Sequence, residues 1–266
     1  NQYNTKRRTY FDYDINSSVY ENTYLDSTSQ FWVDSTFVKY FRNNLNLGFD
    51  NGILNIQGYF DYYQHEYNQF MGVDSNFNSS YLGVYAGIKT PKSRLKVGFR
   101  YGLNGYNSDD ISTNFKFNFN PSNDYSLVLE GGYQLIEPEL YYKNFTSNHF
   151  RWINDTLGKE QTIYLGAKVK QKKYRLTLFA NAKLRDNFMY FDTLVNLLQN
   201  DFATNNISIG IEKDYSIYNF HFKTALIYQM TSDDIIMPLP NFIARQIIYY
   251  ENKLFKTSSI EIKEGE

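Results

Sequence analysis

The sequence predicts an all-β protein: an antiparallel up-and-down transmembrane β-barrel with about 10–12 strands within these 266 residues. Three observations carry that prediction. Runs of alternating apolar and polar residues come in pairs joined by very short polar turns. The segments between pairs are longer, polar and rich in Asn, Asp and Ser. Aromatic residues make up 19% of the chain, with 26 Tyr and 22 Phe, and many sit near run ends.

The pairs follow one another along the chain. Phe41–Phe49 and Ile53–Asp61 meet at Asp50-Asn51-Gly52, and Tyr81–Lys89 and Leu95–Leu103 meet at Thr90-Pro91-Lys92-Ser93. Ile111–Asn120 and Tyr125–Leu135 meet at Pro121-Ser122-Asn123-Asp124, and Gln161–Lys170 and Tyr174–Leu184 at Gln171-Lys172-Lys173. Asn206–Glu212 and Phe220–Tyr228 meet around Asp214-Tyr215-Ser216. Each run has the two-residue period of a strand, and each turn has the residues hairpins need. Weaker alternation at Tyr10, Phe11 and Tyr13, and at Val19, Tyr20 and Tyr24, adds a strand or two near residues 8–24, with another over 241–256. The division is therefore an N-terminal segment over 1–35, barrel strands over 36–256 and a polar tail over 257–266.

Alternation alone fits a soluble barrel as well as a membrane barrel, which is turned inside out. In one run Leu95, Val97, Phe99, Tyr101 and Leu103 share a face opposite Arg94, Lys96, Gly98, Arg100 and Gly102. Run length separates the cases. A tilted strand needs about 9–11 residues to cross the hydrocarbon layer, whereas strands of soluble proteins average nearer 5–6. The aromatics at run ends, such as Tyr62, Tyr63, Tyr67 and Phe70, read as girdles at headgroup level. Mean hydropathy is −0.54 and no apolar stretch approaches a membrane helix, as expected where alternation cancels in any sliding window. A Tyr-rich soluble sandwich that binds carbohydrate is the competing reading, and it predicts purification without detergent.

Formal net charge is −1, which gives no pull toward nucleic acid, and the absence of cysteine excludes disulfides and thiolate metal sites. The polar C-terminus, Ile260 to Glu266, lacks the aromatic residue on which complete barrels typically end. A portion of a longer barrel, or a replaced tail, is expected. Within Asp192–Phe202, Leu194, Leu197 and Leu198 have the spacing of a short helix folded into the lumen, although a plain rim loop fits better.

Two segments carry a family likeness. Asn148-His149-Phe150-Arg151-Trp152 resembles a segment of the putative porins, β-barrel proteins of Gram-negative outer membranes. Pro238-Leu239-Pro240-Asn241-Phe242-Ile243-Ala244-Arg245-Gln246, with Tyr249-Tyr250-Glu251-Asn252 and Leu254-Phe255-Lys256, is similar to a second segment. The likeness covers mainly residues 137–256 and departs after Lys256. It implies an outer-membrane, porin-like protein with outer-membrane lipid, lipopolysaccharide and small solutes as partners. It brings no known substrate, cofactor or catalytic residue.

Nothing points to an enzyme. The three histidines, His65, His149 and His221, lack metal-ligand spacing and read as structural or lumen-lining. Ser147 and His149 are close in sequence, two residues apart, but lie in no nucleophile motif, and Asp109-Asp110 and Asp233-Asp234 read as solvated rim charges. The polar faces contribute Arg42, Arg94, Lys96, Arg100, Lys116, Lys168, Arg175, Lys183 and Lys223 against Glu130 and Glu212. A channel for small solutes with modest anion preference is therefore expected. The alternative is a non-conducting scaffold or adhesin barrel, or a secretion component, that binds partners through its loops. An energy-coupled transporter would need a plug domain, for which the sequence leaves no room.

Overall fold

A strand with one apolar face and hydrogen-bonding groups along both edges is stable only when flanked by other strands. In the computed structural model, which describes residues 2–12, 32–69, 74–147, 150–253 and 261–264, that is how the chain is organised. In chain order the elements are β1 (Gln2–Asp12), β2 (Trp32–Asp50), β3 (Leu54–Gln69), β4 (Asp74–Lys89), β5 (Ser93–Gly105), β6 (Ile111–Phe119) and β7 (Tyr125–Ile136). After β7 come α1 (Leu140–Lys143), β8 (Asn144–Thr146), β9 (Arg151–Ile153), β10 (Glu160–Gln171) and β11 (Leu176–Asp186). The chain continues with β12 (Met189–Phe191), β13 (Leu197–Gln199), β14 (Thr204–Ile217), β15 (Phe220–Thr231), β16 (Phe242–Lys253) and β17 (Glu261–Glu264).

One 13-stranded antiparallel sheet takes the strands in chain order, from β1 at one edge to β17 at the other. It passes over only two small hairpins, β8–β9 and β12–β13, which belong to the long loops. This is the up-and-down barrel wall that the paired runs predict, with one strand more than the upper expectation. Of the weak N-terminal alternation, Tyr10 and Phe11 fall in β1, while Tyr13, Val19, Tyr20 and Tyr24 lie outside the described residues. Within the polar tail, Glu261–Glu264 pairs with β16.

The turns are local chemistry. Asp50 Oδ1 accepts from Gly52 N at 2.7 Å, and Asn51 Oδ1 accepts from Leu54 N at 2.8 Å. Gly52 has φ +86°, a conformation that only glycine adopts without strain. At the next turn, Thr90 N donates to Ser93 O at 2.8 Å and Ser93 N donates to Thr90 Oγ1 at 2.9 Å.

Three local expectations are corrected, and at a fourth segment the choice between two readings is decided. The last turn is Tyr218-Asn219, not Asp214-Tyr215-Ser216, because the ladder continues past those polar residues: the Tyr215 and Phe222 rings stack across the strands at 4.9 Å. The run expected from Tyr174 starts at Leu176, because Arg175 takes φ +48° in the turn. The segment Glu66–Ser80, read as a loop, is largely strand, since β3 and β4 keep their register to Asn68 opposite Asp74. The Leu194–Leu198 segment is the β12–β13 hairpin and not a helix. Asp192 closes its turn by accepting from Leu194 N and Asn196 N at 2.9 and 2.8 Å, and Leu197 is buried while Leu194 is exposed.

The sheet is inverted relative to a water-soluble one. Its apolar face is the open face: Leu47, Leu82, Val97, Leu165, Leu178 and Ile209 are all exposed. The buried side chains are mostly polar, among them Asp61, Ser79, Thr162, Thr177 and Thr204. A continuous apolar face of this extent costs about 25 cal/mol per Å² in water and is stable only against lipid. Such a band outside and a polar wall inside are the attributes of an outer-membrane β-barrel.

Candidate functional site

Register places the polar wall residue by residue. Lys96 lies opposite Lys116, and Lys116 opposite Glu130. Arg94 and Arg100 lie on the same face of β5. Lys168, Lys183 and Lys223 project from β10, β11 and β15 on that face. Arg175 alone among the expected lining residues is off the strands. It stands exposed in its turn, with Nη1 3.5 Å from Ser216 Oγ.

The wall's acids and bases are unequally matched. Arg42 makes a bidentate pair with Asp61 at 2.9–3.0 Å, and Asn44 adds a donor to the same carboxylate at 2.6 Å. Asp61 is only 2% exposed, so its charge is held by a complete set of donors. Lys116 meets Glu130 at 2.8 Å. Beside that pair a recess of about 280 Å³ is lined by Lys168, Phe179, Asn181 and Glu212. Among the described residues, Arg94, Lys96, Lys168, Lys183 and Lys223 have no carboxylate within ion-pair distance. Arg100 is held differently, with its guanidinium 3.5 Å over the Tyr81 ring.

Aromatic residues expected as girdles turn out to belong to this wall. Tyr63 and Tyr67 share the inward face of β3 with Tyr59, Asp61 and His65, opposite Ser79, Ser75, Gly83, Tyr81 and Phe77 of β4. Sequence reasoning missed them as wall residues. The signal was present: an aromatic residue at nearly every second position, in step with Asp61. His65 stacks on Phe77 at 4.7 Å and does not lie beyond a strand end. His221 stacks on Tyr249 at 4.7 Å, with Nδ1 2.9 Å from Ser216 Oγ. No cluster of metal-ligating side chains occurs among the described residues.

Several inward rings rest on glycines of the next strand. A Cβ at Gly83 would fall 2.1 Å from the Tyr59 ring, one at Gly98 2.8 Å from Tyr85, and one at Gly210 2.2 Å from Phe179. Only a missing side chain lets these rings lie flat against the backbone.

The long loops are tied to one another and to the wall. Gln69, on the inward face of β3, donates to Asn144 O at 3.2 Å and accepts from Thr146 N at 2.6 Å. The loop between β7 and β10 is thereby drawn across the polar side, with Phe145 stacked on Trp152 at 4.6 Å. Asp110, read as a solvated rim charge, is instead buried. It accepts from Lys159 Nζ at 2.6 Å and Glu137 N at 2.8 Å. Asp109 does face solvent; a hydrogen bond from the Tyr101 hydroxyl holds its carboxyl below the usual range. Gln199 and Gly158 exchange two hydrogen bonds at 2.8 Å, and Asn187 donates to Lys159 O at 3.1 Å.

Gln69→Ala is expected to free this loop. It leaves two part-buried backbone groups, Asn144 O and Thr146 N, without their partner, a cost of about 1 kcal/mol on the loop's closed state. Amide exchange across residues 140–153 should accelerate while the strands keep their protection; unchanged loop protection would refute the tie.

A family model described as putative porin matches residues 1–265. The chain belongs to the putative porin family. In this porin-family chain the described part of the first likeness segment, Phe150 to Trp152, leads into and begins β9. Asn148 and His149 lie outside the described residues, Phe150 N donates to Ser147 Oγ at 3.0 Å, Arg151 is exposed, and Trp152 Nε1 donates to Tyr141 O at 2.9 Å. The second segment starts β16: Gln229 binds Pro240 O and Asn241 O at 2.9 and 2.8 Å, Phe242 faces outward and Arg245 lies opposite Ala225 on the polar face.

The same wall occurs in solved structures of receptors and of a transporter. The siderophore receptor PirA from Acinetobacter baumannii superposes with a TM-score of 0.70 at 9% identity, over 98% of this chain and 46% of that one. The copper transporter OprC gives 0.69 at 12% identity, over 94% and 47%. The ferric enterobactin receptor PfeA from Pseudomonas aeruginosa gives 0.67 at 12%, over 93% and 44%. The porin-family chain thus spans just under half the length of these structures. Comparison with curated protein sequences finds no match. Family and fold together make this a transport-related β-barrel protein of the outer membrane.

Proposed function

We propose that the polar wall lines a passive aqueous channel for small solutes, with modest preference for anions. The observation that supports this reading is the imbalance of paired charge. The acids Asp61 and Glu130 are already neutralised by Arg42 and Lys116. The unpaired strand cations on that face, among them Arg94, Lys96, Lys168, Lys183, Lys223 and Arg245, outnumber unpaired strand acids such as Glu160, Glu212 and Asp214. Fixed positive charge on a low-dielectric wall raises the local anion concentration. Outer-membrane lipid would cover the apolar band and lipopolysaccharide would meet the loop rim.

Reversal potential under a salt gradient across a planar bilayer tests this with the full-length protein. Anion preference is expected, falling several-fold toward or past neutrality in a Lys96→Glu, Lys168→Glu double variant. Cation preference in the unaltered protein overturns the selectivity. Absence of conductance overturns the channel and favours the scaffold reading.

A further inference from the structure

The lipid-facing side of the sheet is almost free of positive charge. From β2 to β16, the outward strand positions among the described residues hold two cations, Lys39 and Lys213. Lys39 lies toward the loop end and pairs with Glu66 of the same face at 3.3 Å. Lys213 lies at the turn end, opposite Leu176 and in line with the exposed Ile209 and Ile211. No carboxylate of the described residues stands within ion-pair distance of it. A cation on an otherwise apolar face needs a counter-charge, and this chain does not place one there.

The neighbouring turn adds to the charge. Between β10 and β11 run Lys172, Lys173, Tyr174 and Arg175, so three of these four residues are cationic. Lys213 Nζ donates to Tyr174 O, which occupies one of the three N–H groups of its ammonium. The ammonium groups of Lys173 and Lys213 lie 5.6 and 6.0 Å from the centre of the Tyr174 ring, which is 59% exposed. Exposed Tyr125 and Tyr215 flank it on β7 and β14, as expected of a belt at headgroup depth. Arg175 turns the other way, with Nη1 3.5 Å from Ser216 Oγ on the inward face. The nearby acids do not neutralise the lysines. Asp124 gives Lys172 N only its backbone carbonyl, at 2.7 Å, and Asp214 lies on the inward face opposite Lys223.

We propose that Lys213, Lys173 and Tyr174 form a site for the headgroup of an anionic phospholipid. Short turns of outer-membrane barrels face the periplasm, so this rim meets the phospholipid leaflet and not lipopolysaccharide. Two ammonium groups beside one ring favour a phosphate whose charge is not offset within its own headgroup. Phosphatidylglycerol meets that condition, whereas the ammonium of choline or ethanolamine would be brought against the lysines. With the phosphate at the lysines, the acyl chains lie along the exposed Val169, Leu178 and Ile211.

The site depends on the orientation of the sheet and not on conduction, and its test is separate from the channel's. Delipidated full-length protein in neutral detergent is titrated with phosphatidylglycerol or phosphatidylcholine of the same chain length, and lipid adducts are counted by native mass spectrometry. The first phosphatidylglycerol should bind about five-fold or more tighter than phosphatidylcholine, and Lys213→Gln should remove about five-fold of its affinity. Lys213→Arg, which keeps the charge, should stay within about two-fold of the unaltered protein, and so should Arg175→Gln, which removes a charge from the inward side of the same turn. Inorganic phosphate at matched ionic strength should not displace the lipid. Equal binding of the two lipids would leave the turn rim to a periplasmic partner and overturns the site. Equal losses in Lys213→Gln and Arg175→Gln would mark diffuse attraction, and displacement by phosphate would mark a site for the free anion; either overturns it as well. Preference for phosphatidylglycerol in a protein that passes no ions sustains the site and overturns only the channel.

Discussion

Leu165→Arg is expected to destabilise the folded barrel by about 2–4 kcal/mol, the cost of a cation near the bilayer midplane. Leu165 is 56% exposed and lies in the middle of the outward set Ile163, Leu165, Ala167 and Val169 of β10. Urea titration of the protein folded into lipid vesicles reads the effect directly. Three residues away, Lys168 sits on the opposite face beside Phe179 and Asn181. Lys168→Gln should change stability by about 0.5 kcal/mol at most, because its head group is already solvated. The contrast carries the meaning: if the exposed apolar face met water instead of lipid, the arginine at 165 would be harmless. Equal tolerance at both sites would overturn the inverted orientation and everything built on it.

The second large effect concerns the seat of an inward ring. Gly83→Val places a branched side chain where the Tyr59 ring lies, the Cβ alone falling 2.1 Å from Cζ and 2.3 Å from Oη. Tyr59 is buried and packed against Tyr85, so it has no free volume into which to retreat. Overpacking of this kind costs about 1–3 kcal/mol. Adding Tyr59→Ala should recover much of that loss, giving a favourable coupling of about 0.5–3 kcal/mol between the two sites. Gly210→Val with Phe179→Ala provides an independent copy of the experiment, since that ring lies 2.2 Å from the Cβ position. Additive losses in both cycles would show that the glycines serve the backbone and not the rings.

How much of this was legible beforehand differs from element to element. The hairpin at Asp50-Asn51-Gly52 was readable because its chemistry is local: two side-chain acceptors and one glycine close it without outside help. The turn at Tyr218-Asn219 was not, because Asp214, Tyr215 and Ser216 look like a turn in isolation. They are kept in the strand by a cross-strand ring pair between Tyr215 and Phe222. The same reason explains Glu66–Ser80. Its polar composition reads as loop, yet His65 and Phe77 hold the two strands together above the apolar band.

The candidate site divides along the same line. Alternation within a single strand assigns Lys96, Lys168 and Lys183 to one face. It cannot say that Asp61 is consumed by Arg42, or that Asp110 is buried under Lys159. Those partners are 19 and 49 residues apart in sequence, and only strand order brings them together. The inward rings were misassigned to girdles because amphipathic aromatics suit the headgroup level as well as a wet wall.

What this sequence determined by itself is the two-residue period, the short turns and hence the inside-out barrel wall, since each depends on residues that are neighbours along the chain. The tertiary structure alone decided which charges remain unpaired, which rings face the lumen and which loop is tied across the polar side. Those outcomes depend on register between strands and on contacts across long sequence separations, and the free energy of such a contact is not a property of either partner's position in the chain.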